Sequence, residues 1–190
     1  IIFISACYKN TDENLPDGFV YVKEEIPTVI LDIRYYSTDN FMGRTAEGYE
    51  APVCIMSKES VDALKNVAEE MATHNLRLKI FDGYRPQRAV DDFISWSQVY
   101  DDTLTKSKYY PEIPKKDLFE LNYLALKSGH SRGSTLDLTL IDSDGNELDM
   151  GTGWDYFGPE SWPTDTTVSQ LAQDNRNLLR TAMLKYGFVP

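Results

Sequence analysis

Segments patterned as strands alternate with segments patterned as helices, and this alternation narrows the possible folds more than any other feature of the sequence. β-branched and aromatic runs predict strands, whereas apolar residues spaced three or four apart predict helices. The predicted strands cover residues 29–35, 76–81 and 135–141, and the predicted helices follow Ser57, run from Pro86 to about Tyr100, and cover residues 168–186. Asp144 and Gly145 predict a tight hairpin turn after the last strand. This mixture indicates an α+β domain whose helices pack on a mainly antiparallel sheet.

Length and charge limit the number of domains and the kinds of partner. The 190 residues fit one domain of ordinary size. Within it, residues 101–117 hold Pro111 and Pro114 and predict a long surface connection. The formal net charge of -11 excludes a nucleic-acid partner, because binding a phosphate backbone needs a basic face. No protein partner is evident from the pattern, and no apolar run reaches the roughly 18 residues of a membrane-spanning helix.

The position of Cys7 is informative, although two cysteines are too few for a disulfide framework. The apolar run that ends in small residues before Cys7 is similar to the end of a bacterial lipoprotein signal peptide. This interpretation makes residues 1–16 a signal remnant and polar tether, with Cys7 carrying a lipid that anchors the protein to the membrane. It predicts a location in the bacterial cell envelope or periplasm. The alternative is a short buried strand over residues 1–4 and a cytoplasmic protein.

A glycine- and serine-rich turn containing His130 comes just before the strand that begins near Asp137. Seven extended residues would span about 23 Å, whereas two donor atoms on one metal ion lie within a few ångströms of each other. The chain must therefore fold back if both residues bind one ion, and Gly133, which is free to adopt positive φ, is where it can do so. A capped turn or a hydrogen-bonded core histidine would explain the pair equally well when it is considered alone.

The whole run Ser128-Gly-His-Ser-Arg-Gly-Ser-Thr-Leu-Asp137 carries more information than that pair. It resembles the first metal signature of the zinc D,D-peptidases, and within them the D-alanyl-D-alanine dipeptidase (VanX-like) branch. The resemblance implies a D,D-peptidase/hedgehog-like zinc peptidase fold and one Zn²⁺ per site, bound by His130 and Asp137. It also implies that Ser128 contacts the substrate.

A second block, Phe81-Asp-Gly-Tyr-Arg-Pro, extends the resemblance. It places Arg85 at a junction between a strand and a helix, and the following Pro86 keeps Arg85 out of the helical region. The resemblance implies that Arg85 is catalytic and stabilises the oxyanion of the tetrahedral intermediate, a role suited to a permanently charged guanidinium. An isolated arginine would more simply form a surface salt bridge.

Two further segments, residues 31–41 and 149–157, are similar to parts of the family that bind substrate. The resemblance implies that Tyr35 lines the substrate pocket and that Asp155 binds the free ammonium group of the dipeptide. Such a contact selects dipeptides, because a longer peptide without the amine would leave a carboxylate unpaired. The alternative is that Tyr35 and Trp154 are ordinary core residues without a role in binding.

Members of the family also have a third zinc ligand, a histidine, and a catalytic glutamate three residues before it. We expect both after Pro190, so residues 17–190 are predicted to form a zinc dipeptidase domain that continues beyond this sequence. The predicted function is zinc-dependent hydrolysis of D-Ala-D-Ala in cell-wall metabolism or glycopeptide resistance. The alternatives are a D,D-carboxypeptidase that acts on peptidoglycan peptides, and a non-catalytic envelope protein that binds metal or peptide.

Overall fold

Strand β4 (Arg77–Asp82) lies at the centre of the main sheet in this computed structural model, which describes residues 15–189. It pairs in parallel with β2 (Ile30–Leu31) on one side. On the other side it pairs antiparallel with β5 (Asp137–Ile141). The main sheet therefore has three strands in the order β2-β4-β5, and it is mixed.

A smaller antiparallel sheet contains β1 (Phe19–Tyr21) and β3 (Ile55–Ser57). The short helix α1 (Val22–Glu25) directly follows β1. None of these three elements was predicted from the sequence, because three or four residues are too few to display a periodic pattern. The small sheet matters for the site, since the backbone N–H of Ser57 donates to the carbonyl of Gly133 at 2.8 Å.

Helix α2 (Lys58–Thr73) begins as predicted after Ser57, whose hydroxyl accepts the backbone N–H of Ser60 and satisfies one of the free donors at the helix start. Its apolar side is fully buried and packs toward β4 and the last helix. The remaining helices are α3 (Gln87–Ser97), α4 (Lys106–Tyr109) and α5 (Gln170–Lys185). Helices therefore flank a small sheet, and the predicted α+β class is confirmed.

The strand predicted over residues 29–35 is wrong in its second half. Only Ile30–Leu31 pairs with the sheet, and the chain then forms a 3₁₀ turn over Arg34–Tyr36. The fully buried Asn40 explains the turn, because its side-chain amide donates to the carbonyl of Arg34 and to two further carbonyls. These hydrogen bonds from a nearby side chain override the strand preference of the tyrosines, and they place Tyr35 beside the end of β4.

The connection over residues 101–117 is not simply a surface loop, as was predicted. It contains α4, and Tyr109, Tyr110 and Lys115 within it are buried. The ring of Tyr110 packs edge-on against Trp96 of α3, with 5.7 Å between the ring centroids. The two prolines correctly marked an irregular segment, but the apolar area of its tyrosines draws that segment into the core.

The predicted leader and tether, residues 1–16, fall almost entirely outside the described residues, and so does Cys7. The lipid anchor and the location in the envelope therefore stay predictions. Cys54 is buried, and burial raises the pKa of its thiol. Within residues 15–189, no helix has both the length and the apolar character needed to cross a membrane.

Gly133 provides a test of how the small sheet supports the turn before β5. Its φ is 72°, and a Cβ built there would lie 2.4 Å from Cε1 of Phe19. We expect Gly133→Ala to lower the free energy of unfolding by about 2–5 kcal/mol, from backbone strain and overpacking together. Chemical denaturation of the metal-free protein measures this loss.

Gly145→Ala is the matched control, because Gly145 has a φ of 90° but no atom within 4 Å of its ideal Cβ. It adds backbone strain alone and should cost about 1–2 kcal/mol. Adding Phe19→Leu to Gly133→Ala should recover part of the loss. Equal losses for the two glycine variants would show that contact with Phe19 is unimportant.

Candidate active site

The end of β4 and the start of β5 bring two carboxylates together. Their antiparallel register pairs Asp82 with Asp137, next to a small irregularity in the ladder. The 3₁₀ turn Gly129–Arg132 packs on this end of the sheet, where the backbone N–H of Arg85 donates to the carbonyl of His130 at 3.4 Å. Three predicted site residues, Arg85, His130 and Asp137, are therefore gathered at one end of the main sheet.

His130 and Asp137 have the geometry of two ligands to one metal ion. His130 Nε2 lies 3.4 Å from Asp137 Oδ1, and two donors about 2.0–2.2 Å from a tetrahedral metal are roughly 3.3–3.6 Å apart. His130 Nδ1 is 2.9 Å from the carbonyl oxygen of Gly83. Because a carbonyl only accepts, Nδ1 carries the proton and the lone pair of Nε2 is free for a metal. Gly133 adopts the predicted positive φ between the two residues.

Asp82 is a buried carboxylate that organises its neighbours. Its side chain is 1% exposed, and its Oδ1 accepts the hydroxyl of Tyr49 at 2.7 Å and the backbone N–H of Gly83 at 2.9 Å. Its Oδ2 lies 2.9 Å from Nε and 2.8 Å from Nη2 of Arg85. The same oxygen is 3.4 Å from His130 Nδ1. Asp82 therefore fixes the arginine and borders the histidine.

Asp82, His130 and Asp137 each offer a ligand atom, and these atoms lie within 4.8 Å of one another. Asp82 is nevertheless a poor ligand here, because donors already occupy both of its oxygens and it faces the protonated nitrogen of His130. We therefore assign His130 and Asp137 as the residues that can hold the metal. The third ligand and the general base that the resemblance implies are not assigned among residues 15–189.

The Arg85 guanidinium lies in an aromatic cage beside the carboxylates. Its Cζ is 4.9 Å from the ring centroid of Tyr35 and 5.3 Å from that of Phe93. Its Nη2 is also 3.5 Å from Asp137 Oδ2. Burial alone would lower the pKa of Arg85, but surrounding anionic groups including Asp82 and Asp137 raise it well above its usual range. The site thus holds a fixed positive charge next to the metal-binding pair.

Tyr35 and Asp155 form a second polar group at the site. The hydroxyl of Tyr35 donates to Asp155 Oδ2 at 2.5 Å. Burial, together with the charge of Asp137, raises the pKa of the Asp155 carboxyl to about 7. Asp155 also has a φ of 55°, which is uncommon for a residue other than glycine and is typical of functional positions. A cation that binds near Asp155 would offset the repulsion between Asp155 and Asp137.

Ser128 has a role in supporting the turn. Its hydroxyl oxygen accepts the backbone N–H of His130 at 3.2 Å and so caps the turn Gly129–Arg132. The hydroxyl hydrogen remains available to donate to a ligand. The structure therefore places Ser128 directly beside the histidine, while contact between Ser128 and a substrate stays a prediction.

Sequence reasoning missed Asp82, Tyr49 and the indole N–H of Trp154, which donates to Asp137 Oδ2 at 3.4 Å. A signal for Asp82 was present, because a carboxylate at the end of a buried strand, three residues before Arg85, needs a partner. Tyr49 had no such signal, since its contact depends on how residues 37–50 loop back over the sheet.

Asp82→Asn tests whether Asp82 positions its neighbours or binds the metal itself. The change keeps the shape of the side chain but removes the charge that pairs with buried Arg85, so we expect a loss of about 3 kcal/mol in the free energy of unfolding. Metal affinity should fall by about 10- to 100-fold, as for residues that support ligands. His130→Ala, the control, should abolish measurable binding in a Co²⁺ titration. Equal losses of affinity in the two variants would make Asp82 a ligand.

Comparison with known proteins agrees with this geometry. A family model described as D-ala-D-ala dipeptidase matches residues 16–190. The D-alanyl-D-alanine dipeptidase of Enterococcus faecalis is 38% identical over 175 residues, which cover 92% of this chain and 87% of the relative. That of Streptomyces coelicolor is 39% identical over 171 residues, covering 90% and 85%. That of Escherichia coli is 32% identical over 163 residues, covering 86% and 74%.

The match extends over nearly all of the chain, including both segments that supply the metal-binding pair and the buried arginine. The α+β fold, the metal-binding geometry and the shared sequence agree with one another. The chain therefore belongs to the D-ala-D-ala dipeptidase family of metal-dependent peptidases.

Proposed function

We propose that this protein is a zinc-dependent dipeptidase that hydrolyses D-Ala-D-Ala to D-alanine. The observation that carries the proposal is the placement of His130 Nε2 at 3.4 Å from Asp137 Oδ1, with the other ring nitrogen held by a backbone carbonyl. One imidazole and one carboxylate suit zinc, which binds nitrogen and oxygen ligands in tetrahedral sites. When bound, zinc supplies a Lewis acid for the scissile carbonyl and lowers the pKa of a water molecule.

Arg85 stabilises the negative charge that develops on the carbonyl oxygen during hydrolysis. Its guanidinium is permanently charged, and Asp82 and the rings of Tyr35 and Phe93 hold it in place. A preorganised donor of this kind needs little reorientation as the oxyanion forms, which is why such donors stabilise transition states effectively. Its position beside Asp137 supports this role.

Asp155 selects substrates with a free amine. Its carboxylate pairs with the ammonium group of the dipeptide, while the hydrogen bond from Tyr35 keeps it oriented. Burial and the repulsion from Asp137 together raise the pKa of Asp155, and the ammonium offsets that repulsion. An acylated peptide brings no positive charge and would leave the carboxylate unpaired. Tyr35 and Ser128 complete the proposed substrate contacts.

Release of D-alanine by the full-length protein tests the function. We expect hydrolysis of D-Ala-D-Ala in the presence of Zn²⁺, loss of activity with a chelator, recovery on adding Zn²⁺, and no activity in His130→Ala. Free D-alanine is measured with an amino-acid oxidase. A protein that trims pentapeptide muropeptides but spares the dipeptide would be a carboxypeptidase, and one that binds zinc without any turnover would be the non-catalytic binder.

Asp155→Asn tests the selection of the free amine. The variant keeps the shape of the side chain but loses its charge, so kcat/KM for D-Ala-D-Ala should fall by about 30- to 5,000-fold, the range for breaking a buried charge pair. The preference of the wild type for D-Ala-D-Ala over its N-acetyl derivative should shrink by a similar factor.

Asp144→Asn serves as the control, because Asp144 is exposed in the hairpin turn, where its backbone N–H donates to Asp142. It should leave kcat/KM unchanged. An Asp155→Asn variant that retains the full preference for the free dipeptide would show that another group recognises the amine.

A further inference from the structure

Trp154 contacts the metal-binding carboxylate from the side opposite His130. Its indole Nε1 donates to Asp137 Oδ2 at 3.4 Å, whereas His130 faces Asp137 Oδ1. Trp154 immediately precedes Asp155, so one short stretch of chain contacts the metal-binding carboxylate and carries the proposed amine-binding carboxylate. The indole N–H thus connects the chain segment that carries Asp155 to the carboxylate of Asp137.

Asp137 has two chemically equivalent oxygens, and its surroundings make them different. Oδ2 receives both the Trp154 N–H and, at 3.5 Å, Nη2 of Arg85. Oδ1 is left facing the imidazole. Hydrogen bonds to the distal oxygen of a ligating carboxylate fix the direction of the other oxygen and favour binding through that single atom.

Packing sets the direction of the Trp154 N–H independently of Asp137. The indole lies against the ring of Tyr35, with 4.9 Å between the centroids, and against Phe81 at 5.7 Å. The loop around it is tied to α5 by Arg176, which donates to the backbone carbonyls of Met150, Glu160 and Trp162. The indole is therefore a fixed donor to which the carboxylate must adapt.

We propose that Trp154 is a positioning residue that orients Asp137 to bind zinc through Oδ1. This inference rests on the proposed zinc site. It predicts that the N–H of Trp154, and not merely the apolar ring, contributes to metal affinity. An aromatic residue that only fills the core would contribute to folding stability and leave metal affinity unchanged.

Trp154→Phe separates these roles, since it removes the N–H and keeps an aromatic ring. Trp96→Phe is the control, because Trp96 is buried and its Nε1 has no hydrogen-bond partner among the described residues, whereas Trp154 is partly buried. Both variants replace an indole with a phenyl ring. Only Trp154→Phe loses a donor to a metal ligand.

We expect the Zn²⁺ dissociation constant of Trp154→Phe, measured by chelator competition on the full-length protein, to rise about tenfold. The Zn²⁺ dissociation constant of Trp96→Phe should stay within about twofold of the wild-type value, because no metal ligand loses a supporting hydrogen bond. The visible absorption of the Co²⁺ form should change in Trp154→Phe alone. Urea unfolding of the metal-free variants measures the structural cost separately. An unchanged zinc constant together with an unchanged Co²⁺ spectrum would overturn the proposal.

A measurement on the unmodified protein keeps the test decisive if Trp154→Phe fails to fold. The chain has three tryptophans, so ¹⁵N-indole labelling gives three N–H signals, which Trp96→Phe and Trp162→Phe assign by elimination. Zn²⁺ should shift the Trp154 signal and leave the other two in place. If zinc binds through His130 but the Trp154 signal does not shift, the positioning role of Trp154 is refuted while the proposed zinc site stands. Absence of His130-dependent zinc binding would instead refute the proposed function.

Discussion

The buried carboxylate of Asp82 is the group on which the arrangement of the site depends. Removing a carboxylate from water is costly unless donors surround it, and here Tyr49, Gly83 and Arg85 provide them. Each of these bonds also fixes a partner. The arginine is directed toward Asp137, and the loop containing Tyr49 is held over the sheet. The hydrogen bonds that keep this charge buried therefore also position Arg85, the proposed catalytic group.

The sequence predicted the chemistry of the site better than the path of the chain around it. His130, Asp137, Arg85, Tyr35 and Asp155 come together at one end of the sheet, and the positive φ of Gly133 was foreseen from the need to fold back. Spacing and turn chemistry pointed only to the pair His130 and Asp137, and the resemblance carried by the local motifs implied the other three residues. Their individual roles stay predictions, because contacts with metal and substrate go beyond what the fold displays.

Individual side-chain contacts account for what the sequence could not predict. Residues 32–36 have strand preferences, yet the nearby side chain of Asn40 draws them into a turn. The segment over residues 101–117 has the prolines of a loop, yet Tyr110 packs on Trp96. The indole N–H of Trp154 meets Asp137 across 17 positions. In each case a specific side-chain contact, between partners six to 17 residues apart, decides the outcome, and single-sequence patterns do not report such contacts.

The anchoring of the turn before β5 has a consequence for how the protein opens. The carbonyl of Gly133 accepts the backbone N–H of Ser57, and the ring of Phe19 closes over the same glycine. The two-stranded sheet and the turn that presents His130 thus share a backbone hydrogen bond and a packing contact, so they behave as one unit of local unfolding. Because this support comes from protein groups alone, the histidine is held in place before any ion arrives. Binding of an ion by His130 then requires little ordering of this turn.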